Sequence, residues 1–211
     1  VDAAYGILGR HLKRMLRCEP GARLGLDPAF LHDMRVAMRR LRAGLRVFSE
    51  ALPSSRSRSF AGELKWLTPF LGRVRDLDVH LEWLTKAVAS LPESLRPGLD
   101  AYRACVAAER ERAESAMVCR LTSRRFEVFA ERMRRFLDAG PPRRPKAPLA
   151  GRRVADVVPG PIVKRLERVL KEGRAISSRT PDAQLHALRI QCKRLRYACE
   201  FFTDLYGGPA R

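Results

Sequence analysis

The sequence predicts an all-α fold, and three observations carry that expectation. Apolar residues recur three and four positions apart, the spacing of a helix face, and almost never two apart as in a strand. Proline, glycine and N-cap residues punctuate the chain at helix-length intervals. The chain also matches itself at an offset of 154 residues.

The expected helices are 2–18, 29–51, 57–71, 76–90, 98–119, 123–138, 155–175 and 181–205. The bases of the first include Arg10, Arg14 and Arg17. Asp27-Pro28 ahead of the second, and Thr180-Pro181 ahead of the last, read as an N-cap followed by proline at the first helical position. The third and fourth are joined by Gly72-Arg73-Val74-Arg75, read as a tight helical hairpin. Asp76 would then cap the helix beginning near 77, and Asp78 would complement its dipole. Pro92 and Pro97 mark the next turn. The helix 123–138 runs into Gly140-Pro141-Pro142-Arg143-Arg144-Pro145-Lys146-Ala147-Pro148, a stiff basic linker. Short loops between amphipathic helices favour antiparallel neighbours and hence helical bundles.

At the offset of 154, Leu31-His32-Asp33-Met34-Arg35-Val36 falls on Leu185-His186-Ala187-Leu188-Arg189-Ile190. Arg39-Arg40-Leu41-Arg42 falls on Lys193-Arg194-Leu195-Arg196, and Phe48 on Phe202. Upstream and without a gap, Arg10 falls on Lys164, Leu12 on Leu166, Arg14 on Arg168 and Arg17 on Lys171. A duplication explains this better than chance. Leu31, Met34, Met38, Leu41, Leu45 and Phe48 form one apolar stripe; Leu185, Leu188, Cys192, Leu195, Cys199 and Phe202 form its counterpart. Cys192 and Cys199 thus read as small core residues. They are two turns apart, roughly 10 Å, too far for a disulfide.

A basic stripe runs beside the first apolar one: His32, Arg35, Arg39, Arg42 and Arg46, within a sector of roughly 80°. Its counterpart is His186, Arg189, Lys193 and Arg196, and Glu200 falls on Arg46. Like charges at these spacings repel. A solvated face would intersperse acids, but positions 35 to 46 contain none. The stripe spans roughly 21 Å at helical rise, the length of several phosphates, which suits a chain-like polyanion better than a single anion. Arginine forks match phosphate oxygens.

The net charge of +19, from 42 Lys plus Arg against 23 Asp plus Glu, points the same way. Five cysteines, an odd number with no CxxC pair, read as reduced thiols in a cytosolic protein. No run of eighteen apolar residues suggests a membrane span, and the start lacks the pattern of a secretion signal. No phosphate-binding glycine loop, nucleophile elbow or metalloprotease motif occurs, so no enzyme is expected. Metal ligation by His32 and His186 is disfavoured: His11 and His80 are the only other imidazoles, and the neighbours are cations. No cofactor is expected.

His32-x-x-Arg35-x-x-x-Arg39-Arg40-x-Arg42, followed by Leu71-Gly72-x-x-Arg75-Asp76-Leu77-Asp78-Val79, resembles the CHAD family, the conserved histidine α-helical domain. Leu185-His186-x-Leu188-Arg189-Ile190-x-x-Lys193-Arg194-Leu195-Arg196-Tyr197 is similar to its later motif. The resemblance runs from about residue 3 to the end. It implies two four-helix bundles related by pseudo-twofold symmetry around a basic channel that binds inorganic polyphosphate. It also implies a cytoplasmic protein associated with polyphosphate granules, in a family whose members are often fused to a triphosphate-tunnel enzyme domain. The binding residues carried over are His32, Arg35, Arg39, Arg40 and Arg42, then His186, Arg189, Lys193, Arg194 and Arg196. Repeat logic adds Arg10, Arg14, Arg17, Lys164, Arg168 and Lys171, and the stripe adds Arg46.

On this reading 1–138 holds the first bundle and connecting helices, 139–153 the linker and 154–211 the second copy, together one domain. The family's two further helices, which mirror 57–90, are missing after the second copy. The second bundle is therefore expected to be incomplete unless another chain supplies them. The second functional reading is a basic helical module that binds nucleic acid. It lacks interleaved aromatics for base stacking, Trp66 and Tyr197 being the only candidates.

Overall fold

The computed structural model describes residues 1–143 and 147–202. Arg144, Pro145 and Lys146 of the expected linker, and the end of the expected helix 181–205, lie outside the described residues. The described residues are helical with no strand: α1 (Asp2–Arg23), α2 (Pro28–Val47), α3 (Ser54–Ala89), α4 (Arg96–Leu121), α5 (Arg124–Asp138), α6 (Val154–Val157), α7 (Pro159–Arg174) and α8 (Asp182–Phe201), with a 3-10 turn at Glu93–Leu95.

Three expectations about local structure are corrected. The hairpin expected at 72–75 does not exist, because α3 continues from Ser54 to Ala89. Its buried stripe, Leu64, Leu67, Leu71, Val74, Leu77 and Leu84, keeps helical spacing straight through Gly72. Gly72 has no positive φ to turn the chain; among the described residues only Gly25 and Gly140 do. Asp76 and Asp78 are consequently mid-helix and cap nothing. The second correction is at α8, where Pro181 holds the N-cap position with no side-chain cap. Thr180 Oγ1 accepts instead from the Ser177 amide at 2.8 Å, closing the loop before the helix. At α2 the expected cap is present, with Asp27 Oδ1 accepting from the Ala29 amide at 2.6 Å. The third concerns 155–175, which divides into α6 and α7 at Val158.

The chain forms two compact units, neither contiguous in sequence. One comprises 9–39 and 58–139. Its core holds Leu12, Met15, Leu31, Met34 and Met38 together with the α3 stripe and Phe126, Phe129 and Met133 of α5. The Phe60 ring packs on Phe136 at 5.5 Å. Arg110 of α4 donates to Asp78 of α3 at 2.8 Å and to Glu114 at 2.9 Å, tying α4 to α3 through a largely buried carboxylate.

The other unit comprises 1–8, 40–57 and the described residues from Gly140 onward. Leu41 and Leu45 of α2 and Phe48 just after it are buried, as are Tyr197 and Ala198 of α8 and Phe202 just after that helix. Phe48 packs edge-on to Phe202 at 5.6 Å. The Leu149 amide donates to the Glu50 carbonyl at 3.0 Å, and the Val1 ammonium to the Ala150 carbonyl at 3.0 Å.

The expected apolar stripe of the second copy is only partly a core. Leu185 is 39% exposed where its counterpart Leu31 is 4%, and Leu166 is 42% exposed where Leu12 is 3%. Cys192 is exposed and Cys199 half-buried, so the reading of both as core thiols is corrected. The reason is packing. α7 and α8 pack on each other, but no described helix covers this outer face.

A candidate anion-binding site

Within the unit that holds α7 and α8, the end of α2 brings Arg40, Arg42 and Arg46. α8 brings His186, Arg189, Lys193, Arg194 and Arg196, and α7 brings Lys164, Arg165, Arg168 and Lys171. Arg46 is the centre of a cationic cluster. Partial desolvation pushes its guanidinium below the usual arginine range, and the charges of Arg194, Arg42 and Arg165 push it further the same way.

A few residues away in the same unit the arrangement is inverted. Arg40 Nη2 donates to Glu200 Oε2 at 3.1 Å, and Arg196 Nε lies 3.3 Å from Glu200 Oε1. The 154-residue offset places Arg40 on Arg194, Arg196 on Arg42 and Glu200 on Arg46. The two trios therefore correspond member by member and differ in the sign of the central side chain.

Arg165 belongs to the Arg46 cluster and was missed in the sequence. Its counterpart at the offset is His11, so repeat logic passed over it. The usable signal was local: Arg165 and Arg168 are three apart on a strongly amphipathic helix. Lys164, Lys171, His186, Arg189 and Lys193 are exposed. Arg168 is exposed too and pairs with Glu172 at 3.4 Å.

In the other unit the expected site residues are more engaged. Arg35 Nη1 donates to the carbonyls of Leu71 at 3.2 Å and Gly72 at 2.8 Å, and lies 3.4 Å from Asp76 Oδ1. It clasps α3 to α2. Arg14 pairs with Asp33 at 3.0 Å. Arg10, Arg17, His32 and Arg39 are exposed. Both candidate stacking rings are engaged: Arg125 lies over Trp66 at 4.2 Å, and Tyr197 is buried with Arg196 at 5.2 Å from its ring.

Among the described residues no three His, Cys, Asp or Glu side chains gather to hold a metal ion. No described helix is long and apolar enough to cross a membrane. The arrangement offers clustered, fixed guanidinium donors, the chemistry of oxyanion recognition.

The model of the CHAD domain matches residues 6–211. The crystal structure of the CHAD domain from the plant Ricinus communis superposes with a TM-score of 0.76 at 28% identity, over 95% of this chain. The chain spans 64% of that structure's length. PptA from Streptomyces chartreusis superposes with a TM-score of 0.72 at 22% identity, covering 100% of this chain and 76% of its own, a likeness of fold. No curated protein matches the chain.

Proposed function

The chain belongs to the CHAD domain family, and from that premise we propose that it binds inorganic polyphosphate without transforming it. The observation that carries the reading is the Arg46 cluster. The charges of Arg42, Arg194 and Arg165, from three helices, bear on Arg46 and disfavour its charged form, a repulsion that a bound anion would relieve. Polyphosphate suits it because each phosphate presents several oxygens to the arginine forks, and successive phosphates can reach the neighbouring bases. His32, His186 and the remaining bases named from the sequence would extend that contact along the ligand. On this reading the protein works where polyphosphate accumulates, in the cytoplasm and at polyphosphate granules.

Titration with polyphosphates of defined length tests the proposal. Long chains should bind tightly, and orthophosphate and pyrophosphate far more weakly. Arg46→Glu and Arg194→Glu should each weaken long-chain binding by about 1–3 kcal/mol, the range of a charge-assisted contact. Arg124→Glu, on an exposed side chain of α5 in the other unit, should change little. Equal loss from all three would sink the ordered site in favour of a diffuse cationic surface.

The net charge of +19 favours nucleic acid as the second reading. Competition separates the two. Duplex DNA displacing polyphosphate at matched charge concentration would overturn the first reading.

A further inference from the structure

We propose that Glu200 is a built-in counter-anion, holding with its own carboxylate the place between Arg40 and Arg196 that a ligand oxyanion would otherwise take, and so setting how much of the site is open. The inference rests on the polyphosphate reading and deepens it.

The geometry is that of a mimic. One carboxylate oxygen accepts from Arg40 of α2 at 3.1 Å, and the other lies 3.3 Å from Arg196 of α8. Two guanidiniums from different helices thus converge on a single anionic group, as they would on a phosphate. The corresponding trio shows what the place is like without it. There Arg46 stands in the position of Glu200, and the charges of Arg194 and Arg42 bear on it. At corresponding positions of the sequence repeat, one trio holds an internal carboxylate and the other a third cation.

Helix stability accounts for little of Glu200, whose i,i+4 pair with Arg196 contributes about 0.2–0.5 kcal/mol. It occupies the penultimate position of α8, and a helix C-terminus favours cations over carboxylates. Nor is the pair a buried clasp, since Arg40, Arg196 and Glu200 all keep a third or more of their side chains in solvent. Exposed pairs of this kind hold weakly and exchange readily for another anion. A polyphosphate chain seated at the Arg46 cluster can therefore extend to Arg40 and Arg196 only by displacing Glu200.

The test uses the full chain, long-chain polyphosphate and tripolyphosphate, with Glu127→Gln as the control. Glu127 is an exposed acid of α5 paired with Arg124, so this control adds the same net charge in the other unit. Glu200→Gln should bind long-chain polyphosphate more tightly than Glu127→Gln, by up to about fivefold, the upper range of an exposed ion pair. Its log–log salt dependence should be steeper by roughly one to two, as two more cations release counterions. Glu200→Arg should exceed Glu200→Gln. If Glu200 is only a clasp, Glu200→Gln melts lower than the parent and binds no better than Glu127→Gln, and the proposal is overturned. If neither the parent nor Glu200→Gln binds either polyphosphate, the polyphosphate reading itself falls, a failure distinct from the first.

Discussion

The binding role proposed for Arg46 opposes its structural one. Partial desolvation and the charges of Arg194, Arg42 and Arg165 all disfavour its charged form. Like-charge pairs at helical spacing cost about 0.2–0.5 kcal/mol each. Arg46→Gln should therefore raise the melting temperature of the free protein by about 1–2 °C, at roughly 2–4 °C per kcal/mol for a chain of this size. The same change should weaken polyphosphate binding by at least about tenfold. Thermal scans and titrations on one preparation would check both, and a less stable Arg46→Gln would contradict the repulsion. Asp78 is the opposite case. Its side chain is 9% exposed, one oxygen is held by Arg110, and the other is buried with no hydrogen-bond partner. Asp78→Asn takes from Arg110 one of its two carboxylate partners, Glu114 remaining, and should cost about 1.5–3 kcal/mol in urea unfolding. Asp78→Asn combined with Arg110→Gln should cost less than the sum of the two single changes.

Two elements differ in how firmly they are held. The middle of α3 is fixed by a continuous buried stripe and by Arg35, whose guanidinium takes the carbonyls of Leu71 and Gly72. Arg35→Ala should therefore lower stability by about 1.5–3 kcal/mol, the worth of hydrogen bonds to a charged donor. It should do so with or without ligand, which chemical denaturation would show. The α7–α8 hairpin lacks such anchoring: α7 buries no residue, and α8 buries only Tyr197 and Ala198. Elements with few buried apolar contacts open locally at low free energy. Amides of α7 should thus exchange with deuterium faster than those of α1 and α5, read peptide by peptide by mass spectrometry. Equal protection of α7 and α5 would show that the hairpin is held by something the described residues do not include.

For the whole molecule the governing quantity is the charge of +19. A ligand that binds only the native state stabilises it by mass action, about 2.7 kcal/mol at a hundredfold excess over Kd. That is roughly 5–11 °C for a chain of this size. Long-chain polyphosphate should therefore raise the melting temperature. The shift should shrink steeply between low and physiological salt, because each neutralised charge releases condensed counterions. A shift that persists unchanged in salt would argue against electrostatic binding.

What the sequence determined by itself were the patterns that depend on neighbours along the chain. Three-and-four spacing made the helices legible, and Leu31, Met34, Met38, Leu41, Leu45 and Phe48 are buried as that spacing required. The His-Arg motifs were sufficient to place the chain in its family. The break expected at Gly72 failed because a glycine between apolar turns permits a bend without requiring one, and the buried stripe of α3 decided for continuity. Which basic residues stand together, and which are already spent, was a matter for tertiary structure alone. Arg35 and Arg46 look alike in one stripe, yet Arg35 grips backbone carbonyls of α3 while Arg46 faces Arg194 and Arg165 from other helices. The roles of Asp76, Asp78 and Glu200 were equally out of reach, since each is set by an arginine 41, 32 or 160 residues away in the chain. Spacing along one helix states which side chains share a face, but the charge that meets that face comes from a distant segment, and only packing brings the two together.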